Sequence, residues 1–187
     1  MAFLRARLRA LLLALLAAAS VAAQAAPPAP TEYEVKAAYL CNFAEFVEWP
    51  PKAPETENAV TIGILGTDPF GAVLEETAKS RAVQTKSLTV KRLSKIDDAL
   101  SCRIVYVSAS EGRNVGQILR SLGAVSVLTV SDIERFAELG GIIGFTMEEK
   151  RVRFEINLQA AERAGLKISS RLLKLARIAR TDSRGRS

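Results

Sequence analysis

The chain has 187 residues, a formal net charge of +6 and no histidine. This length allows one domain with a substantial core and is too short for two domains of ordinary size. The absence of histidine excludes Ser–His and Cys–His nucleophilic pairs and removes the commonest zinc ligand. We therefore expect no catalytic site, no metal site and no cofactor.

The first 25 residues have the pattern of a secretory signal peptide. Three arginines open the chain, an apolar run covers residues 10–19, and an A-x-A cleavage pattern ends at Ala25. The apolar run is about half of the roughly 20 residues that a membrane-spanning helix needs. We expect cleavage near Ala25 and export to the periplasm, with a retained anchor as the alternative. Without the leader the net charge is +3, and we expect no nucleic-acid partner.

Apolar periodicity in the rest of the chain predicts helices and strands in alternation. The predicted helices cover residues 31–47, 70–79, 96–100, 115–122, 131–139 and 169–180, and the predicted strands cover residues 60–65, 87–93, 103–107, 125–130, 142–145 and 151–158. Such alternation implies parallel strands joined by right-handed crossovers. The turn at 148–150 adds an antiparallel hairpin.

We therefore expect a single α/β domain over residues 26–180. Its mostly parallel sheet should have about six strands, with helices on both faces and the antiparallel hairpin at its C-terminal end. Residues 181–187 are expected to form a disordered tail.

Five polar or aromatic positions stand out from this pattern. Asn42 lies within an apolar helical stripe, so its amide should have a specific hydrogen-bonding partner, which we expect to be backbone. Asp68 is expected to cap the helix that begins at the following proline. Trp49 either anchors a loop or contributes to a binding surface. Glu155 and Asn157 share the polar face of the last strand and should be satisfied there or line a cleft.

The two cysteines, Cys41 and Cys102, leave two alternatives open. Export makes a disulfide feasible, but it requires the two Cα atoms to lie within about 7 Å of each other. Cys41 falls off the apolar stripe of the first helix, on the side of three glutamates, and Cys102 begins an interior strand. Two free thiols are the default expectation.

Three segments resemble the YfiR-like family. They are VKAAYLCNFAEFVEWP at 35–50, IGILGTDPFG at 62–71, and GGIIGF followed by RVRFEINLQAAERAGLKISSRLLKLA at 151–176. The resemblance spans nearly the whole chain after the leader. It implies a periplasmic α/β protein that represses an inner-membrane diguanylate cyclase by binding its periplasmic part. The resemblance also implies that an OmpA-like outer-membrane lipoprotein relieves the repression, and that the regulator controls cyclic-di-GMP level and biofilm formation.

The resemblance also implies roles for individual residues. Glu155 matches an acidic position of a surface implicated in partner control, and Ile143 and Ala161 fall at neighbouring positions of that surface. Positions that match family signature residues with mainly structural roles are Asn42, Trp49, Asp68 and Asn157.

The family further implies a disulfide-containing homodimer. Here Cys102 matches a family cysteine, Gly144 stands where another is expected, and Cys41 replaces an aromatic residue.

Two functions follow from these observations. The first is a non-enzymatic regulator that is at most peripheral to the membrane and binds a membrane signalling protein near Glu155 and the closing helix. The second is a periplasmic small-molecule binder without a cyclase partner, whose ligand lies near the strand ends and the Asp68 turn.

Overall fold

A computed structural model of the chain describes residues 29–51, 59–82 and 87–179. The predicted leader, most of the loop that follows Pro51, and the predicted tail lie outside these residues. The strands are β1 (Val47–Glu48), β2 (Ala59–Leu65), β3 (Ser87–Leu93), β4 (Ile104–Val107), β5 (Leu128–Ser131), β6 (Ile143–Glu148), β7 (Arg151–Ile156), β8 (Lys167–Ile168) and β9 (Arg177–Ile178). The helices are α1 (Glu32–Phe46), α2 (Val73–Ala82), α3 (Val115–Leu122), α4 (Leu158–Arg163) and α5 (Ser170–Leu173), with 3-10 turns at Ile96–Ser101 and Ala109–Glu111.

The main sheet has seven strands in the order β3-β2-β4-β5-β6-β7-β9. The first five strands in this order, from β3 through β2 to β6, are parallel to one another. Strand β7 runs antiparallel to β6, and β9 runs parallel to β7. The short strands β1 and β8 form a separate antiparallel pair. The mostly parallel α/β sheet is therefore confirmed, with one more strand than expected.

The hairpin between β6 and β7 confirms the turn predicted at 148–150. Glu148 pairs with Arg151, and the two residues between them, Glu149 and Lys150, have φ angles of 48° and 63°. Positive φ at both central residues is the geometry that joins two twisted antiparallel strands through the shortest loop.

The sheet divides the core into two clusters on its opposite faces. Ile62, Ile104 and Tyr106 belong to the cluster under α1 and α2, whereas Val105 and Val107 belong to the cluster under α3. Successive residues of a strand point to opposite faces, so β2, β3 and β4 each contribute to both clusters. Helices on both faces, as predicted, follow from a parallel sheet that is apolar on both sides.

Helix α1 begins as predicted, but it buries a different face. Thr31 and Glu34 form the expected capping box, with the Thr31 N–H donating to Glu34 Oε2 at 2.6 Å and the Glu34 N–H donating to Thr31 Oγ1 at 3.3 Å. The buried residues of α1 are Lys36, Ala37, Leu40, Cys41, Phe43 and Ala44. The prediction that Cys41 lies off the buried face is wrong. Helix α1 packs against both α2 and the sheet, so the buried part of its surface is wider than the apolar stripe in its sequence.

Both cysteines are free and buried, Cys41 in the first cluster and Cys102 in the second. The sheet separates them, so the alternative of an intrachain disulfide is not realised in this structure. Burial raises the pKa of the Cys41 thiol to about 11.

Three predicted helices differ from the structure. The helix expected at 70–79 begins only at Val73, after a turn that Asp68 caps. The segment 132–140 forms turns, with Arg135 at a φ of 58°, because a non-glycine residue in the left-handed region interrupts a helix. The closing helix ends at Leu173, and the chain then joins the sheet as β9.

Helix α4 was not predicted. The expected strand 151–158 ends at Ile156, and Asn157 caps the new helix by accepting a hydrogen bond from the Ala160 N–H at 2.9 Å. Within the described residues, no helix is long and apolar enough to cross a membrane.

Candidate functional site

The loops that follow the parallel strands meet at one edge of the sheet, where α/β proteins commonly bind ligands. Asp68 follows β2, and its Oδ1 accepts hydrogen bonds from the N–H groups of Phe70 and Gly71 at 2.8 and 3.3 Å. Its Oδ2 accepts from Arg92 Nε and Nη2 at 2.9 and 2.7 Å. Both carboxylate oxygens are therefore engaged within the chain, and Asp68 holds the turn rather than offering an acceptor to a ligand.

A buried ion-pair cluster lies at the same edge and was missed by the sequence analysis. Lys36 of α1 is 2 % exposed, and its Nζ lies 2.6 Å from Asp132 Oδ2 and 2.5 Å from Glu32 Oε1. Tyr33 donates a hydrogen bond to Asp132 Oδ2 at 3.2 Å, and its ring lies 4.6 Å below the Lys36 ammonium. The Tyr106 hydroxyl lies beside Asp132 without a hydrogen bond of standard geometry.

The cluster keeps both of its central groups charged. Burial alone would raise the pKa of Asp132, but the hydrogen bonds from Lys36 and Tyr33, together with the adjacent Tyr106 hydroxyl, outweigh burial and lower that pKa. Burial alone would lower the pKa of Lys36, but its hydrogen bonds to Asp132 and Glu32 outweigh burial and raise that pKa. A buried lysine is tolerated only when such partners replace its water. The position of Lys36 within an apolar run of the sequence was the signal that could have indicated this cluster.

A groove of about 300 Å³ opens beside this cluster, between the first turns of α1, the start of the 132–140 segment and strand β6. We call it the β6 groove; its lining residues are Glu32, Lys36, Asp132, Glu134, Arg135, Phe145, Thr146 and Met147. Within the described residues, no group of three or more acidic or cysteine side chains is arranged to hold a metal ion.

The three residues predicted to form a partner-binding surface do not share one. Ile143 is 0 % exposed and Ala161 is 1 % exposed, and both belong to the first core cluster. The prediction that Ile143 and Ala161 lie on an accessible surface is wrong. Ile143 lies on the helix-covered face of β6, and Ala161 faces the sheet from α4. Glu155 lies on the other face of β7 and is half-buried.

Glu155 belongs to a charged face of the sheet that no helix covers within the described residues. We call it the open sheet face; its residues are Glu148, Arg151, Arg153, Glu155 and Arg177. Arg177 lies directly across from Glu155 in the pairing of β7 with β9, and its Nη1 lies 2.6 Å from Glu148 Oε1. On the same side of the sheet, turns of the 132–140 segment pack over Gly144 of β6, where an added Cβ would lie 3.3 Å from the Ala137 nitrogen.

Asn42, Trp49 and Asn157 are held by specific contacts. The Asn42 side chain accepts a hydrogen bond from Arg81 of α2 rather than from backbone. Trp49 Nε1 donates to the Arg103 carbonyl at 3.2 Å, and the Arg103 guanidinium lies 5.9 Å from the indole ring.

Asn157 is 1 % exposed and also donates from Nδ2 to the Ala137 carbonyl at 2.7 Å. It therefore ties the start of α4 to the 132–140 segment. These contacts are consistent with structural roles for all three side chains.

Comparison with known proteins identifies relatives by sequence and by fold. A model of the YfiR/HmsC-like family matches residues 33–177. A conserved domain protein from Vibrio cholerae is similar in structure, with a TM-score of 0.51 and 15% identity over 78% of this chain and 59% of its own. An ABC domain in complex with L-Trp from Streptococcus pneumonia has a TM-score of 0.53 and 12% identity over 76% of this chain and 62% of its own. The chain thus spans about three fifths of each structure, and at this identity the likeness concerns the fold alone.

Proposed function

The chain belongs to the YfiR/HmsC-like family, and on this premise we propose that it is a periplasmic, non-enzymatic regulator that represses an inner-membrane signalling protein of the diguanylate cyclase type. The regulator binds the periplasmic part of that protein, and its removal raises cyclic-di-GMP and biofilm formation. An OmpA-like lipoprotein of the outer membrane relieves the repression, and the regulator acts as a homodimer. Export relies on the leader, with cleavage near Ala25.

The open sheet face is the observation that carries this proposal. Three arginines and two glutamates project here from paired strands, on a face that no helix of the described residues covers. Arg151 and Arg153 are exposed, and Arg177 is 67 % exposed. Arginine is enriched in protein interfaces, and side chains that stand on a rigid sheet lose little backbone freedom when a partner binds. Such a face suits a protein partner better than a small ligand.

Deletion of the gene in its native host tests the proposed function. We expect cyclic-di-GMP, measured by mass spectrometry of cell extracts, to rise several-fold and biofilm to increase, with wild-type protein restoring both. A membrane protein with a cyclase output domain encoded by a neighbouring gene is the first partner to examine. Unchanged cyclic-di-GMP and unchanged biofilm in the deletion strain would refute the proposal.

Charge reversal on the open sheet face tests the surface. Glu155→Arg should fail to restore repression, because it places a fourth arginine where an acidic contact is expected. Arg153→Glu, at an exposed position on the same face, is a second variant in case the half-buried position 155 affects folding. The matched control is Glu76→Arg on the exposed side of α2, which should restore repression fully. Full repression by both open-face variants at normal protein levels would exclude this surface.

A further inference from the structure

Strand β6 has a free edge along its second half. Strand β5 pairs with β6 only at Val130↔Ile143 and Ser131↔Gly144, after which the chain leaves the sheet. Strand β7 pairs with β6 along its whole length on the other side. Among the described residues, no strand pairs with the edge of Phe145 to Glu148 that faces β5. An edge of this kind presents backbone N–H and C=O groups on which a further strand can pair.

The β6 groove lies along this free edge. Phe145, Thr146 and Met147 all line it, although consecutive side chains of a strand point to opposite faces. What three consecutive residues share is their backbone, so the groove follows the strand edge rather than one face of the sheet. The Thr146 hydroxyl in this lining is buried without a hydrogen-bond partner among the described residues, and an unsatisfied group of this kind favours a polar occupant.

The groove is acidic, although the chain as a whole carries a net charge of +6. Its lining contains three carboxylates, from Glu32, Asp132 and Glu134, against two cations. Lys36 is already bound to Glu32 and Asp132, and Arg135 Nε lies 2.6 Å from Glu138 Oε2. Glu134 is exposed and makes no ion pair within the described residues. An additional positive charge is therefore favoured at this position, and an anion is not.

We propose that the free edge of β6 binds an extended segment of the signalling partner by strand addition, with a lysine or arginine of that segment lying against Glu32, Asp132 and Glu134. This inference rests on the proposed function and names the mode of binding. Main-chain hydrogen bonds along the edge provide affinity, and the acidic pocket selects the register, as in other complexes formed by strand addition. Four residues at about 3.3 Å each give a recognised segment of about 13 Å.

Site-specific photo-crosslinking in living cells tests the inference on the full chain. A photoreactive phenylalanine derivative replaces Met147 in the groove or, as a control of equal exposure, Leu100 in the 3-10 turn before β4; both side chains are 49 % exposed. The cross-linked peptides are identified by mass spectrometry. The expected result is a cross-link at position 147, and not at 100, to a periplasmic segment of an inner-membrane protein that carries Lys or Arg within two residues of the cross-link.

Charge exchange makes the test decisive. Glu134→Arg should reduce the cross-link at position 147 about tenfold, whereas Glu76→Arg should leave it unchanged. Replacing the basic residue of the captured segment by Glu should restore the cross-link in the Glu134→Arg background. A cross-link only to a second copy of the chain, no cross-link at all, or a yield that Glu134→Arg does not change would overturn the inference. If deletion nevertheless raises cyclic-di-GMP, the proposed function survives such a result; if deletion has no effect, the proposed function fails whatever is captured at β6.

Discussion

Replacing Lys36 by methionine tests the central claim about the buried cluster. The Lys36 ammonium is 2 % exposed and holds Asp132, which is 13 % exposed, at 2.6 Å. Methionine keeps most of the volume but leaves the carboxylate without its main counter-charge. Breaking a buried pair from one side costs about 3–5 kcal/mol. Because Tyr33 still donates to Asp132, we expect the lower end of that range, about 3 kcal/mol of unfolding free energy at pH 7.

The pH dependence of this loss has a definite sign. In the wild type the pKa of Asp132 is lowered by folding, so its contribution is present above the unfolded value of about 3.9 and is lost as the pH falls through the folded value. The pKa of Lys36 is raised by folding, so its contribution is complete below about 10.4 and is lost as the pH rises through the folded value. In Lys36→Met, burial is expected to raise the pKa of Asp132 instead. The stability difference between the two proteins should therefore narrow as the pH falls from 7 to 4.

Urea unfolding followed by tryptophan fluorescence measures this difference. Trp49 is the only tryptophan, and its indole is hydrogen-bonded in the folded state. With an m-value of about 2 kcal/mol/M, the midpoint should fall by roughly 1.5 M. Lys79→Met, on the exposed side of α2, is the control and should change stability by less than about 0.5 kcal/mol.

Adding Asp132→Leu to the Lys36→Met variant should recover at least half of the loss, because no uncompensated charge then remains in the cluster. A loss below 1 kcal/mol for Lys36→Met, or a difference that widens towards pH 4, would refute the reasoning.

Three further predictions use the same unfolding assay or a thiol assay. Asn157→Ala removes both the acceptor that caps the Ala160 N–H of α4 and the buried donor to the Ala137 carbonyl, so it should cost about 2–3 kcal/mol. Gly141→Ala places a Cβ 2.1 Å from the buried Phe136 ring and should cost about 1–3 kcal/mol. Burial raises the pKa of both Cys41 and Cys102, so neither thiol should react with Ellman's reagent at pH 8 until the protein is unfolded, after which both should react.

Each of these predictions has a control or an opposite outcome. Asn114→Ala changes an asparagine at the start of α3 whose side chain makes no capping bond, so it should cost less than about 0.5 kcal/mol. Gly116→Ala lies in α3, where the new Cβ would be 3.5 Å from Arg120 Nη1, an ordinary contact distance, and it should stabilise by about 0.5–1 kcal/mol. A denatured protein with no titratable thiol, or a stability that falls on addition of dithiothreitol, would instead indicate the disulfide.

The parallel part of the sheet could be read from the sequence because each strand carries its own local signal. Strand β3 has the predicted bounds, and β2 differs by one residue, since short β-branched runs between turn residues have few alternatives. The hairpin turn at 148–150 was also predictable, because clean alternation on its second strand fixes the register of the pair.

The remaining differences arise from contacts that are distant in sequence. Strand β9 has two residues and exists only because β7 offers an edge, so no periodicity marks it. Lys36 and Asp132 are 96 residues apart, and neither position looks unusual without the other. Ile143 and Ala161 match family positions by sequence, but only the covered face of the sheet shows that they are buried. Local patterns specify elements, whereas sites depend on which elements meet.

The two surfaces proposed for partner binding are continuous through β6, and this bears on how many partners the protein engages. Glu148 at the end of β6 belongs to the open sheet face and pairs with Arg177, while Met147 beside it lines the β6 groove. One partner that adds a strand to β6 would therefore reach the open face over the end of the same strand.

In that case Glu134→Arg and Glu155→Arg weaken a single complex. If either substitution alone abolishes repression, the double variant should have the same cyclic-di-GMP level as that single variant. If the signalling protein and the lipoprotein instead use one surface each, the variants separate: one loses repression, and the other keeps repression but loses relief. Measuring both variants in strains with and without the lipoprotein distinguishes competition for one continuous surface from independent binding at two.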